Sequence, residues 1–296
     1  MKHFITISLF SIFLLSAGSA AAQWQMPQKQ SLVMDGAFQR DIVQEKEPFP
    51  YTPIRESDVV WARKIWRIID LREKINYPLY YPTEVLQGRK SLVQALVQAI
   101  QAGKITAYDT DSDEFTTVLK PEALISRFNA ADRKSVRPKM DGTGDTTVII
   151  RGQINWSEVQ ELLVKEEWFF DTRYSQMFVR IIGICPIRVY HRQLRTDDGE
   201  EEEGDKVKAR LFWVYYPEIR KTLANTLCFT GGNEISQMSF DDLFLKRYFN
   251  SYIVAEANNQ NNRLISSYAR NDFEMMLESE KIKEELFNFE QDLWEY

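Results

Sequence analysis

The sequence is poor in the residues that perform most enzyme chemistry. Of its 296 residues, two are histidine and two are cysteine. His3 lies in a predicted leader, so the mature chain keeps His191 alone, in Tyr190-His191-Arg192 with no motif around it. A nucleophilic triad needs a histidine held by a carboxylate beside a nucleophile, and His191 reads instead as an ordinary strand residue. One histidine and two distant cysteines argue against a structural zinc site. Basic residues do not outnumber acidic ones: 37 stand against 43, a net charge of −6. That argues against general nucleic-acid binding, which needs a positive field to replace counterions. Past residue 22 no apolar run approaches the ~20 residues of a membrane helix. The nearest, Phe178 to Val189, is interrupted by Arg180 and Arg188 and reads as a strand.

What is present begins with a leader. Lys2 and His3 precede a mostly apolar run, Phe4 to Leu15, and Ala20-Ala21-Ala22 offers small residues for cleavage before Gln23. This is the pattern of a secretory signal over residues 1–22, with no cysteine for a lipid anchor. An exported compartment permits a disulfide between Cys185 and Cys228. Both cysteines also sit among apolar residues, as buried free thiols do.

The mature chain divides by composition. Residues 23–55 form an extended N-terminal arm, opened by Gln23, Gln25, Gln28 and Gln30 and closed by Pro48, Pro50 and Pro53. It is too polar to fold alone, and is either a solvated tail or a segment that docks on a neighbour. Phe49, Pro50, Tyr51 and Pro53 place two aromatics in a stiff frame and are the candidate partner contacts. Residues 56–135 form an N-terminal α+β region. A helix is expected from Asp58 to Lys74, with Trp61, Ile65, Trp66 and Ile69 on one face and Asp70 and Lys74 paired at i, i+4. Ser91 caps a second helix, Leu92 to Ala102, which Gly103 ends. Short strands are expected near Ile105–Tyr108 and Phe115–Leu119, then a helix from Pro121 to Asn129.

The polar stretch 132–145 separates this from a strand- and hairpin-rich region, 145–235. There a strand is expected at Thr146–Arg151, a helix from Ser157 to about Phe170, and a long hairpin. The hairpin pairs Met177–Arg192 with Lys206–Tyr216 around the acidic loop Asp197 to Asp205. Residues 236–296 form a C-terminal helical region. Ser239 and Asp242 make a capping box for a helix to about Ser251, and Asn271 or Asp272 starts the last helix. Its Ile282, Leu286, Phe289, Leu293 and Tyr296 recur at intervals of 4, 3, 4 and 3, a seam for its own domain or another helix. The mixed order without βαβ alternation predicts an α+β fold of helices and antiparallel strands, with a long β-hairpin.

The candidate chemistry is thin. Asp109-Thr110-Asp111-Ser112-Asp113 resembles the opening of a calcium loop, yet Glu114 stands where glycine belongs and Lys120 where a bidentate glutamate belongs. It reads as a solvated turn. Gly142-Thr143-Gly144 and Gly231-Gly232 lack the spacing and the lysine of a phosphate loop. No catalytic, cofactor-binding or metal-binding residue is assigned.

The block from Pro50 to Pro82, PYTPIRESDVVWARKIWRIIDLREKINYPLYYP, is long and irregular enough to be specific. It resembles the GldN/PorN family of the type IX secretion and gliding machinery, as do Phe240–Phe244, Arg247–Ile253 and Glu278–Trp294. The resemblance implies a non-enzymatic periplasmic structural subunit without a cofactor. Its implied partners are an outer-membrane lipoprotein of the GldK/PorK type, further copies of itself within a ring, and the periplasmic part of a GldM/PorM-type motor protein. Membrane attachment would then come only through the lipoprotein, which fits a leader without a lipid-accepting cysteine. The competing readings are a periplasmic or secreted hydrolase using a carboxylate pair, and a carbohydrate-binding module using exposed aromatics.

Overall fold

The computed structural model describes residues 46–84, 89–130, 133–138, 145–150, 152–195, 201–228, 238–258 and 262–293. The expected leader, the arm as far as residue 45, the tip of the acidic loop, Gly142-Thr143-Gly144 and Gly231-Gly232 lie outside those residues.

The described chain opens with an extended segment, 46–55, and one 3-10 turn, Glu56–Asp58. Strand β1 follows, Val59–Asp70. This corrects the helix expected over 58–74. The helical template fits because Ile65-Trp66 and Ile68-Ile69 are adjacent apolar pairs. A strand covered on both faces shows the same pairs, since neighbouring side chains point to opposite sides and both sides are dry. The density of Val, Ile and Trp favours the strand. The pair expected between Asp70 and Lys74 is replaced by one between Asp70 and Arg72, at 2.6 Å.

Next come α1 (Tyr77–Tyr80), α2 (Leu92–Gln101), β2 (Ala107–Tyr108) and α3 (Pro121–Arg127). Helix α2 ends as expected at both termini. Ser91 and Gln94 form a reciprocal capping box, and Gly103 takes the left-handed φ of 68° that lets the chain turn away. The strand expected at Phe115–Leu119 is reduced to one bridge between Tyr108 and Val118. A separate hairpin, β3 (Arg133–Pro138) with β4 (Asp145–Ile150), occupies the polar stretch and the strand after it.

A 3-10 turn, Trp156–Glu158, leads into β5 (Val159–Asp171), again a strand where a helix was expected. Its burial on both faces erases the period of two, for the reason given for β1. Strands β6 (Gln176–Arg195) and β7 (Glu201–Arg210) form the expected long antiparallel hairpin. The expected second strand divides. After Arg210 the chain passes Leu211 and Phe212, then pairs as β8 (Trp213–Tyr215) with Gly183 and Ile184 of β6. Helices α4 (Tyr216–Ala224) and α5 (Phe240–Leu245), strand β9 (Tyr252–Glu256) and helix α6 (Asp272–Asp292) complete the chain. The Ser239–Asp242 capping box is present, but α5 stops at Leu245 rather than near Ser251.

The fold is α+β. Seven antiparallel strands form one sheet in the order β2-β8-β6-β5-β1-β9, with β7 also on β6. One face is covered by α2, α4 and α5, which bury Leu96, Ile219, Leu223 and Phe240 against Ile69, Leu162 and Ile184. Toward β9 the same face receives α6, whose Ile282 and Leu286 meet Ile65 and Ile253. Residues of the expected helical seam therefore pack on their own domain. The other face gathers Trp66, Leu163, Cys185 and Trp213, with Phe115 packed beside them. Gly183 makes room for that ring, since a Cβ there would lie 2.5 Å from Phe115 Cζ. Cys185 and Cys228 are buried free thiols in different clusters, so they do not form the permitted disulfide.

Trp66 is buried and Trp61 half-buried, on opposite faces of β1, with the Trp61 ring tilted against that of Phe289, 4.8 Å between centres. Trp66→Ala should cost about 3–5 kcal/mol in urea denaturation, and Trp61→Ala only about 1–2 kcal/mol. Burial raises the Cys185 thiol to about 12 and the Cys228 thiol to about 11. An unfolded thiol ionises near ~8.5, so above that pH the unfolded state releases protons that the folded state keeps. Stability should fall as pH rises from ~8.5 toward those raised values. The fall in urea midpoint between pH 8 and pH 10.5 should be smaller in Cys185→Ala/Cys228→Ala.

Candidate interaction site: an arm held by three arginines

The extended segment 46–55 lies across the body of its own chain. Proline bars it from helix, so its carbonyls are left without partners in regular structure. Three arginines supply them. Arg220, on α4, donates from Nη2 to the Phe49 carbonyl at 2.6 Å. Arg180, on β6, donates to the Thr52 carbonyl. Arg173, in the turn between β5 and β6, donates to the Pro53 carbonyl at 2.9 Å. Two of these guanidiniums lie over the Tyr51 ring, Arg220 at 3.9 Å and Arg180 at 4.8 Å from its centre. Upstream, Lys46 reaches Asp242 in the first turn of α5.

Each end of this grip is anchored in turn. Arg220 is buried and fork-bonded to the buried Asp241, at 3.0 and 3.1 Å, and Tyr216 donates to the same carboxylate at 3.1 Å. Burial alone would favour a neutral Arg220, but its bonds to Asp241 outweigh this and hold it charged. Arg173 is bonded to Asp171 at 2.8 and 3.1 Å, and that hydrogen bond lowers the Asp171 pKa. Arg173 also reaches Asp58, at 3.2 Å, so the far end of the arm is tied to the same turn. Burial pushes the Tyr51 phenol above its ordinary range.

The candidate contact residues thus divide. Tyr51 faces the body, whereas Phe49, Pro50 and Pro53 are exposed, Phe49 by 70 % of its surface. Sequence reasoning missed Arg173, Arg180 and Arg220 as the seat of the arm. A signal existed for Arg180, a cation interrupting an apolar strand. Nothing in the sequence marks Arg220, because only the fold sets α4 beside the arm.

The other candidate groups are engaged in structure. Asp109 pairs with Arg127, and Asp113 accepts from Trp66 Nε1 at 2.8 Å and lies 3.0 Å from Lys165. His191 is exposed, with Nδ1 3.3 Å from the Gly204 carbonyl. The fully buried Glu166 is bonded by Arg247 at 2.9 and 3.2 Å and lies 3.4 Å from Arg67, joining β1, β5 and the segment after α5. A depression of about 300 Å³, lined by Thr83, Glu84 and residues 153–157, holds one carboxylate, Glu84. Among the described residues, no three His, Cys, Asp or Glu side chains gather as metal ligands, and no helix is long and apolar enough to cross a membrane.

Residues 54–295 match the family of the gliding motility associated protein GldN. The chain belongs to the GldN family. It is therefore a component of the gliding motility and type IX secretion machinery. No individually curated protein matches it. The GldN match contains all three arginines of the grip and starts at Ile54, just after the carbonyls they hold.

The buried Arg220–Asp241 pair should dominate the energetics of the arm. Arg220→Ala leaves Asp241 without its cation and should cost about 3–5 kcal/mol. Arg180→Ala removes one hydrogen bond and the contacts with the Tyr51 and Phe169 rings at a half-exposed position and should cost about 1–2 kcal/mol. Urea denaturation measures both. Limited proteolysis should show faster cleavage near residues 46–55 in each variant.

Proposed function

We propose that this chain is a non-enzymatic structural subunit of the periplasm. It assembles with an outer-membrane lipoprotein of the GldK/PorK type into a ring, and meets the periplasmic part of a GldM/PorM-type motor protein. The GldN match over most of the chain carries this reading. The secretory leader read at residues 1–22 supports the compartment. The arm supports an assembly role. Its backbone is fixed on the body while Phe49, Pro50 and Pro53 remain exposed, so a partner meets a rigid extended edge and loses little entropy in ordering it.

Fractionation tests the attachment. In a strain lacking the lipoprotein, the protein should move from the outer-membrane fraction to the soluble periplasmic fraction. Tight membrane association in that strain would overturn the reading. The arm is tested by Phe49→Ala/Pro50→Ala. Both side chains are exposed, so stability should change by less than about 0.5 kcal/mol, while co-purification with the lipoprotein should fall. Undiminished co-purification would remove these residues from the interface.

A further inference from the structure

Helix α6 is apolar on two opposite faces. Its inner face packs on the sheet through Ile282 and Leu286, each only 4 % exposed, and through Ser279, whose Oγ accepts from the Ile253 amide at 2.9 Å. At about 100° per residue, Phe273, Met276, Leu277 and Phe287 fall on the other side. They are exposed by 65, 62, 52 and 59 %. A helix on a domain surface normally carries one apolar stripe, toward the core. The outer row is apolar at Phe273, Met276 and Leu277 and again at Phe287, about 21 Å from Phe273 at 1.5 Å per residue, with Glu280 and Glu284 between them.

Charge narrows what fits there. The helix carries eight acids and two lysines over Asp272–Asp292. Both lysines already lie beside acids of the same helix, Lys281 by Glu278 and Lys283 by Glu280. Glu280 and Glu284 stand exposed along the stripe itself. A second copy of α6 laid against this face would bring like charges together. Anionic lipid headgroups meet the same repulsion. Apolar residues spaced along one helix face, flanked by lysine or arginine, satisfy both the stripe and its rim.

We propose that the outer face of α6 is a docking surface for a basic amphipathic helix of a partner protein. The inference rests on the two faces of α6 alone and does not depend on the assembly described above.

The test uses the full mature chain and a synthetic, fluorescently labelled peptide of ~18 residues, with leucines at i, i+3, i+4 and i+7 and lysine or arginine elsewhere. A control peptide keeps the leucines and carries glutamate in place of the basic residues. By fluorescence anisotropy the basic peptide should bind at least ~10-fold more tightly than the acidic one. Phe273→Ala/Leu277→Ala should weaken it ~10-fold, with unchanged circular dichroism and melting, because both side chains are exposed. Glu280→Gln/Glu284→Gln should weaken it less and flatten its salt dependence. Three results would each overturn the proposal. These are absent or equal binding of the two peptides, binding of the basic peptide that ignores the alanine variant, and self-association of the chain that the alanine variant abolishes.

Discussion

Antiparallel pairing of β1 with β5, in register from Trp61↔Phe170 to Asp70↔Glu161, is the contact on which the rest of the molecule is built. It joins segments separated by about a hundred residues of chain and places them near the middle of the sheet. Once they are paired, β6 adds to β5 and β9 to β1, and each face becomes a surface for helices or aromatics to cover. The cost is that charges on the central strands are enclosed too. Each is met by an opposite charge within the same fold: Glu166 by Arg247 and Arg67, Lys165 by Asp113, and Glu161 by Lys208. Removing one partner leaves a buried charge uncompensated, which is far more damaging than losing an exposed pair.

The same chemistry holds the arm. Peptide carbonyls that cannot enter a sheet or helix still need donors. Guanidiniums provide several donors in a fixed plane and a flat face for an aromatic ring. Arg220 uses its edge on Phe49 and Asp241 and its face on Tyr51. The arm is thus an extension of the folded body with one side seated and the other open. The arm leaves Phe49, Pro50 and Pro53 exposed, and α6 leaves Phe273, Met276, Leu277 and Phe287 exposed. Elsewhere on the body, Asp109, Asp113 and Glu166 are each paired with neighbouring cations.

Part of this was legible in the residues. The capping boxes at Ser91 and Ser239, Gly103 after α2, proline at the start of α3 and the long β6–β7 hairpin were visible because each depends on residues close in the chain. The family was legible because the irregular block from Pro50 to Pro82 carries many aromatic and charged positions in a fixed order. The buried thiols were foreshadowed by their apolar neighbours, while the choice against a disulfide was not.

The sequence by itself determined the local turns, the caps, the α+β class and the family, since short-range sterics and hydrogen bonding act within a few residues. Tertiary structure alone decided that 59–70 and 159–171 are strands. Their adjacent apolar pairs satisfy a helix with one wide face or a strand enclosed on two, and only the covering of both sheet faces selects the second. It also decided that Arg173, Arg180 and Arg220 converge on the arm, because they come from a turn, a strand and a helix that meet only after the sheet has formed. The last helix shows the same division. Its sequence carries two apolar rows, and only the packing of Ile282 and Leu286 on the sheet reveals which one the fold leaves open.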